Sequence, residues 1–258
     1  MSKKMNSNIY IGTSGWNYNH WRDAFYPRGC PKSKWLQYYA QNFTTVELNS
    51  TFYRQPKPET LENWRRKTPE GFLWAVKASR YITHIKRLKD SGKSLERFFS
   101  AAGILKEKLG PVLFQLPPGL TFNEGVFEEF CKSLEKYRHR CTLEVRHKSW
   151  LEESVLAKLE KHRIAFCISD TAGRYPYSET VTADFIYVRL HGSRKLYASD
   201  YTDEELRTWA RKILVWNRDT YVYFDNDFGG YAPKNAARLK EILGLNPAAS
   251  VSPIAGGG

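Results

Sequence analysis

At 258 residues, with 41% apolar and 15% aromatic side chains, the chain has the size of one large domain and ample material for a core. Lysine and arginine number 40 against 27 acids, a net charge of +13. That excess suggests a polyanionic partner, or basic side chains that simply solvate helix faces. No apolar run nears the roughly 20 residues of a membrane span, and the first eleven residues lack a secretory-signal stretch.

A first strand is predicted at 9–13, then a helix over 33–41 that buries Trp35, Leu36 and Tyr39. A strand at 44–48 precedes Pro58, which suits the first turn of a helix carrying Leu61 and Trp64. After a strand at 72–77, the stripe of Leu95, Phe98, Phe99, Ala102 and Leu105 predicts a helix over 94–109. The strand at 111–115 leads to a helical stripe of Phe127, Phe130, Leu134 and Tyr137. The strand at 141–145 leads to a shorter helix over 151–159. Strands at 164–169 and 184–190 are joined by 171–183, where Gly173 and Pro176 interrupt any helical pattern. Thr202 and Glu205 form a capping box for a helix with Leu206, Trp209, Ile213 and Trp216 on one side. A strand at 220–225 and a helix over 233–243, closed by Gly244, complete the series.

Eight strands alternating with helices predict an α/β fold, a closed (β/α)₈ TIM barrel in one domain over residues 1–245, with an irregular link between strands six and seven. Residues 246–258 read as a flexible tail. The four cysteines (Cys30, Cys131, Cys141, Cys167) lack Cys-x-x-Cys or metal-finger spacing, which fits reduced, mostly buried thiols of a cytoplasmic protein with no membrane partner.

The strand ends carry the second signal. In 45–49, 75–77, 142–146, 187–191 and 223–227, polar and ionisable side chains fall on alternate positions. Successive side chains of a strand face opposite ways, so these charges share one face. Parallel strands between helices are buried on both faces, and an unpaired buried charge costs several kcal/mol. Function is therefore expected there.

Nine ordered motifs support a family resemblance. They are GTSGW at 12–16, FYP at 25–27, VELNSTFYR at 46–54, TPEGF at 68–72, VKASR at 76–80 with ITH at 82–84, GPVLFQLPP at 110–118, EVRHKSW at 144–150, YVRLHG at 187–192 and VYFDND at 222–227. With these the chain resembles domain of unknown function 72, the YecE-like family, over nearly all of 10–243. The resemblance implies a TIM barrel and a pocket but no reaction. The family often has Asn where this chain has Asp225, which argues against a catalytic need for a carboxylate there.

Active sites of such barrels lie at the C-terminal ends of the strands. Strand parity turns Glu47, Lys77, Gln115, Glu144, Arg146, Arg189, His191 and Asp227 inward, while His147 and Asn226 have the opposite parity. Glu47, Glu144, His191 and Asp227 are the candidate catalytic groups. Trp16, Asn49, Lys77, Arg80, Gln115, Arg146, Asp170, Arg189 and Asn226 are the candidate ligand contacts.

Three chemistries compete. The acids and His191 are ligand types for a divalent metal in a hydrolase or isomerase, but Lys77, Arg146 and Arg189 would repel the ion, so no cofactor is expected. A glycosidase pair is disfavoured because Glu47 and Glu144 stand on strands two and five and nearby cations favour their ionised forms; Trp16, Trp21, Tyr53 and Trp150 could stack sugars or pack loops. The mixture of acids and bases fits best with binding or hydrolysis of a phosphate-bearing ligand, a nucleotide or nucleic acid. Arginine forks would hold the anion, and His191 with Glu144 would move protons in a hydrolase or lyase. A non-catalytic nucleic-acid-binding module is the alternative, and a closed salt-bridge network filling the upper barrel is the purely structural reading. Among the remaining histidines, His139 and His162 are expected to face solvent, and His84 to line the mouth or serve a structural hydrogen bond. Cys167 is expected to be core.

Overall fold

The computed structural model describes residues 7–245. Within them eight parallel strands form the barrel: β1 (Ile9–Thr13), β2 (Thr45–Leu48), β3 (Leu73–Lys77), β4 (Leu109–Gln115), β5 (Cys141–Glu144), β6 (Ala165–Asp170), β7 (Phe185–Leu190) and β8 (Asp219–Phe224). Hydrogen-bonded neighbours run β1-β8-β7-β6-β5-β4-β3-β2. The ring closes between β1 and β2 by a short parallel bridge, Ser14 to Glu47, with the Gly15 N–H donating to the Glu47 carbonyl at 2.8 Å. The TIM barrel expected from the alternation is therefore present. The tail expected at 246–258 lies outside the described residues.

The seam between β1 and β2 uses a side chain where a longer ladder would use backbone. Tyr39, from α1 (Trp35–Asn42), accepts from the Thr13 N–H at 3.0 Å and donates to the Thr45 carbonyl at 3.1 Å. Gly12 permits this approach, since a Cβ there would stand 2.2 Å from the Thr45 carbonyl oxygen.

Two helices, α2 (Ser50–Tyr53) and α3 (Pro58–Lys67), join β2 to β3, and Pro58 starts α3 as expected. The helix expected over 94–109 is shorter. It ends as α4 (Gly92–Ala102), a 3₁₀ segment Gly103–Lys108 follows, and β4 begins at Leu109. Inside that segment Lys106 has a φ of 50°, so no helix runs on to 109. Beyond that break the Lys108 ammonium donates to the Arg65 and Thr68 carbonyls at 2.7 and 2.6 Å, capping the end of α3.

Next come α5 (Glu124–Glu135), capped by the Asn123 side chain on the Val126 N–H, and α6 (Glu153–Lys161). The link at 171–183 has no helix, and Thr182 ties it to β6 by accepting from the Phe166 N–H at 2.8 Å. The Thr202–Glu205 capping box opens α7 (Asp203–Trp216). The last helix, α8 (Tyr231–Ile242), ends with Gly244 at φ 67° in a Schellman turn, where Leu245 N–H reaches the Lys240 carbonyl at 2.9 Å.

Two cores result. Between sheet and helices pack the outward side chains such as Val46, Val76, Phe114, Val188 and Phe224. Inside the barrel, Ala75, Ala165 and Cys167 leave room for Tyr187, Tyr221 and Tyr223. Cys131 and Cys141 are also buried, and none of the four cysteines is paired. Two histidines are not the solvent-facing groups expected: each sits half-buried because it bridges elements. His139 Nε2 lies 2.8 Å from the Gly110 carbonyl, and His162 lies between Glu128 and Glu135 at 3.0 and 3.6 Å. No helix among the described residues is long and apolar enough to cross a membrane.

Candidate functional site

Above the tyrosines, the next inward position is a serine on β1 and β6 and an ionisable or amide-bearing group on the other six strands, gathered about Arg189 at the end of β7. Its Nε donates to Glu47 Oε2 at 3.0 Å, and its Nη2 to Glu47 Oε1 at 2.7 Å, a two-pronged fork. Nη1 donates to Glu144 Oε2 at 2.6 Å and lies 3.3 Å from His191 Nε2. Nη2 also reaches Asp225 Oδ2 and Ser14 Oγ, both at 3.1 Å. Further donors complete the carboxylates. The Tyr187 hydroxyl reaches Glu47 Oε2 at 2.7 Å, the Ser14 hydroxyl reaches Glu47 Oε1, and Gln115 Nε2 reaches Glu144 Oε2 at 2.8 Å. Arg146 Nη2 reaches Glu144 Oε1 at 3.1 Å.

Charges follow from this wiring. Burial works to raise the Glu144 carboxyl, but Arg189, Arg146 and His191 hold it well below the ordinary range. Asp225 is lowered in the same way, burial opposing and Arg189 prevailing. For His191, burial and Arg189 act downward, yet Asp225 and Glu144 prevail and raise it. Its Nδ1 approaches Asp225 Oδ2 to 2.9 Å at an angle too oblique for a hydrogen bond.

The site is thus gathered as expected but closed at its base. Glu47, Glu144, Arg189 and His191 are each no more than 1% exposed. Arg189 is not an open anion contact, because every one of its nitrogens is engaged within the protein. Glu47, Glu144 and His191 are likewise fully buried, with no face open to solvent. The donor set does not suit a metal either. Among the described residues no group of three or more His, Cys, Asp and Glu side chains is placed to hold one, and the guanidinium stands among the carboxylates where a cation would sit.

Chemistry accessible to solvent begins one layer higher. Lys77, 8% exposed, rests its ammonium 4.4 Å over the Phe52 ring, with no carboxylate within 4.0 Å among the described residues. Burial first, then Arg189, lowers its pKa to about 8. Arg146 lays its guanidinium 4.5 Å over Tyr175 and points Nη2 at the Tyr197 hydroxyl, 3.5 Å away. After β3 the chain makes a wide π-helical turn, Tyr81–Ile85, that presents His84. Burial pushes His84 down to about 4, helped by the charges of Lys77, Arg146, Arg80 and Arg87. Exposed rings stand on the segments that follow β2, β3, β7 and β8: Tyr53 (77%), Tyr81, Tyr197 and Phe228 (75%). Asn49, at the end of β2, keeps a buried Oδ1 with no partner.

Four expected site residues belong elsewhere. Trp16 is buried edge-on against Trp64 and Trp74, at 5.0 and 5.2 Å, and offers no stacking face. Asp170 has the outward parity of β6 and accepts from the Tyr201 hydroxyl at 2.9 Å, in a cleft of about 340 Å³ beside α7. Asn226 is buried and ties its loop to the Ser199 carbonyl and Asn235 at 2.9 and 2.7 Å. Asp227 lies beyond the end of β8, where strand parity no longer applies. It accepts from Trp21 Nε1 at 2.6 Å and faces His20 Nε2 at 2.9 Å, and burial raises its pKa to about 6. The carboxylate that enters the cluster is Asp225, set aside on the family's preference for Asn. Its parity with Tyr223 was the signal for it. Tyr187, Tyr197, Tyr175 and Phe52 were not singled out as site residues either.

The model described as a protein of unknown function, DUF72, matches residues 10–255. UPF0759 protein YunF of Bacillus subtilis is 29% identical, across 92% of this chain and 95% of that protein. UPF0759 protein YecE of Escherichia coli K12 is 26% identical, across 91% and 92%. A crystal structure of a DUF72 family protein from Thermotoga maritima aligns with a TM-score of 0.83 at 32% identity, covering 92% of this chain and 99% of that one. A D-psicose 3-epimerase aligns at a TM-score of 0.51 and 10% identity, a likeness of fold alone.

Proposed function

The chain belongs to the DUF72 family, and from its barrel mouth we propose that it binds a phosphate-bearing ligand and acts on it as a hydrolase or lyase. One observation carries this reading. Lys77 and Arg146 hold positive charge at the open face, above a base whose carboxylates are already committed to Arg189. A phosphate meets two cations there, Arg146 being held from below by Glu144, which Arg189 already shares. Glu47, Glu144 and His191 act as positioning groups that fix Arg189, Arg146 and Gln115. Acid–base work falls to groups at the mouth, Asp225, His84 and Lys77.

A second reading, single-stranded nucleic acid, has its own support in the exposed rings of Tyr53, Tyr81, Tyr197 and Phe228 interleaved with cations. Titration calorimetry with inorganic phosphate, a nucleoside monophosphate and a short oligonucleotide at several salt concentrations tests both. Arg146→Met is expected to weaken phosphate binding about tenfold or more, the value of one charge-assisted contact. An oligonucleotide alone, binding with a steep salt slope, would favour the second reading. No binding of any phosphorylated compound at millimolar concentration removes both.

A further inference from the structure

The geometry points to Lys77 Nζ as a covalent nucleophile that condenses with the carbonyl carbon of a phosphate-bearing aldehyde or ketone. This deepens the reading above and rests on it for the phosphate, which stays with Arg146. Other lysines with lowered pKa supply the contrast. Lys108 gives its ammonium to the Arg65 and Thr68 carbonyls, and Lys240 gives its own to the Asn42 carbonyl. Lys77 is as buried as Lys108, yet among the described residues its ammonium reaches no acceptor and only overlies Phe52. The carboxylates able to hold it, Glu47, Glu144 and Asp225, are taken by Arg189. A lysine kept for structure alone would take one of them.

Placement suits the role as well. Lys77 ends β3 on the inward face, at the rim where barrel chemistry is carried out. Burial and the Arg189 charge both favour the neutral amine. Roughly one quarter of molecules would carry a free lone pair at pH about 7.5, against about 0.1% for an ordinary lysine.

The step balances without an oxidant or reductant. The neutral nitrogen attacks the carbonyl carbon, a C–N bond forms, and the π pair moves to oxygen. A proton passes from nitrogen to that oxygen, giving a carbinolamine. Loss of the oxygen as water leaves the C=N bond, so one amine and one carbonyl yield one imine and one water. The protons pass through solvent, to which Asp225 and Lys77 are both partly open.

The test uses the full-length protein and pyridoxal 5′-phosphate, an aldehyde with a phosphate, followed by borohydride reduction of the imine and peptide mass spectrometry. Lys77 is expected to be labelled at about tenfold lower probe than any surface lysine, with a rate midpoint near pH 8. Lys77→Arg, shown to be folded by circular dichroism, should lose that adduct and no other. Labelling spread evenly over surface lysines, or a Lys77 rate still climbing near pH ~10, overturns the proposal. Pyridoxal without phosphate separates the two ideas. If it labels Lys77 equally well and inorganic phosphate does not compete, the nucleophile stands and the phosphate reading falls. Calorimetric phosphate binding with no Lys77 adduct does the reverse.

Discussion

Replacing Arg189 with Met removes the cation that three carboxylates share. Taking one partner from a buried ion pair costs about 3–5 kcal/mol, because the other charge is left without compensation. Here Glu47 loses a two-pronged fork and Glu144 loses its shortest contact, both fully buried, while Asp225 retains some solvent. Arg146 and Gln115 still serve Glu144, so the loss should fall near the top of that range rather than double it. Against the roughly 5–15 kcal/mol that stabilises a domain, this is a large fraction. The loss should also depend on pH in a definite direction. In the parent protein Glu144 and Asp225 lie below their ordinary values. Their contribution is present above the unfolded values of about 4 and fades as pH falls through the folded ones. Without the guanidinium, burial would push the Glu144 carboxyl upward instead, so the variant loses stability as pH rises. The gap between the two proteins should therefore widen from about pH 5 to about pH 8. Urea unfolding followed by tryptophan fluorescence measures it. A gap below about 1 kcal/mol throughout, or one that narrows with rising pH, would refute the account of Arg189 as the barrel's internal counter-ion. Adding Glu47→Gln and Glu144→Gln to the same variant should restore part of the loss, since the stranded charges are then gone.

Tyr39→Phe should cost about 1–3 kcal/mol, because the Thr13 N–H and Thr45 carbonyl lose their shared partner at the seam. Faster hydrogen exchange at the Thr13 amide is the check, and unchanged exchange would mean the hydroxyl does not close the barrel. Asp227 should titrate near pH 6 by carbon NMR, and a midpoint at an ordinary aspartate value would contradict its burial beside Trp21. Its pKa is raised on folding, so its stabilisation is complete below about 3.9 and lost as pH climbs toward 6; Asp227→Asn should flatten the stability curve in that window. Thr202→Ala should cost about 1 kcal/mol and Thr202→Ser almost nothing, read from urea midpoints, because only the hydroxyl in the capping box is lost.

The fold was legible because its signals are local and repeated. Apolar runs, helical stripes, Pro58, the Thr202–Glu205 box and Gly244 each act within a few residues, and eight strands, seven of them followed by a helix, leave little choice of architecture. Parity located Glu47, Lys77, Gln115, Glu144, Arg146 and Arg189 because all six stand on strands or at most two residues past them. It failed at Asp227 because β8 stops at Phe224, and three loop residues are enough to turn a side chain toward Trp21 instead of the axis. Trp16 misled for a different reason: an indole near a rim looks like a stacking platform until Trp64 and Trp74 are seen to cover it. No periodicity reports such contacts between distant segments, and the Tyr39 bridge was hidden for the same reason.

Sequence lists charges, whereas pairing decides which of them can act. Arg189, Arg146 and Lys77 looked equivalent as three cations on inward positions of β7, just past β5, and on β3. In the folded barrel Arg189 has the geometry to satisfy several acids at once, since a planar fork presents donors in several directions from one centre. A lysine at that position could hold only a point charge there. While holding Glu47, Glu144 and Asp225, Arg189 also pushes the Lys77 pKa down, against the upward pull of those three carboxylates. The same group that disqualifies itself as a ligand contact thus lowers the pKa of its neighbour. This coupling has a readable consequence. Glu144→Gln should free positive charge in the base and lower the Lys77 pKa further, shifting its labelling midpoint below 8, because Glu144 is the leading charge that now opposes that fall. A midpoint that stays in place or rises would show that the Lys77 amine is set by burial alone and that the Arg189 network does not control it.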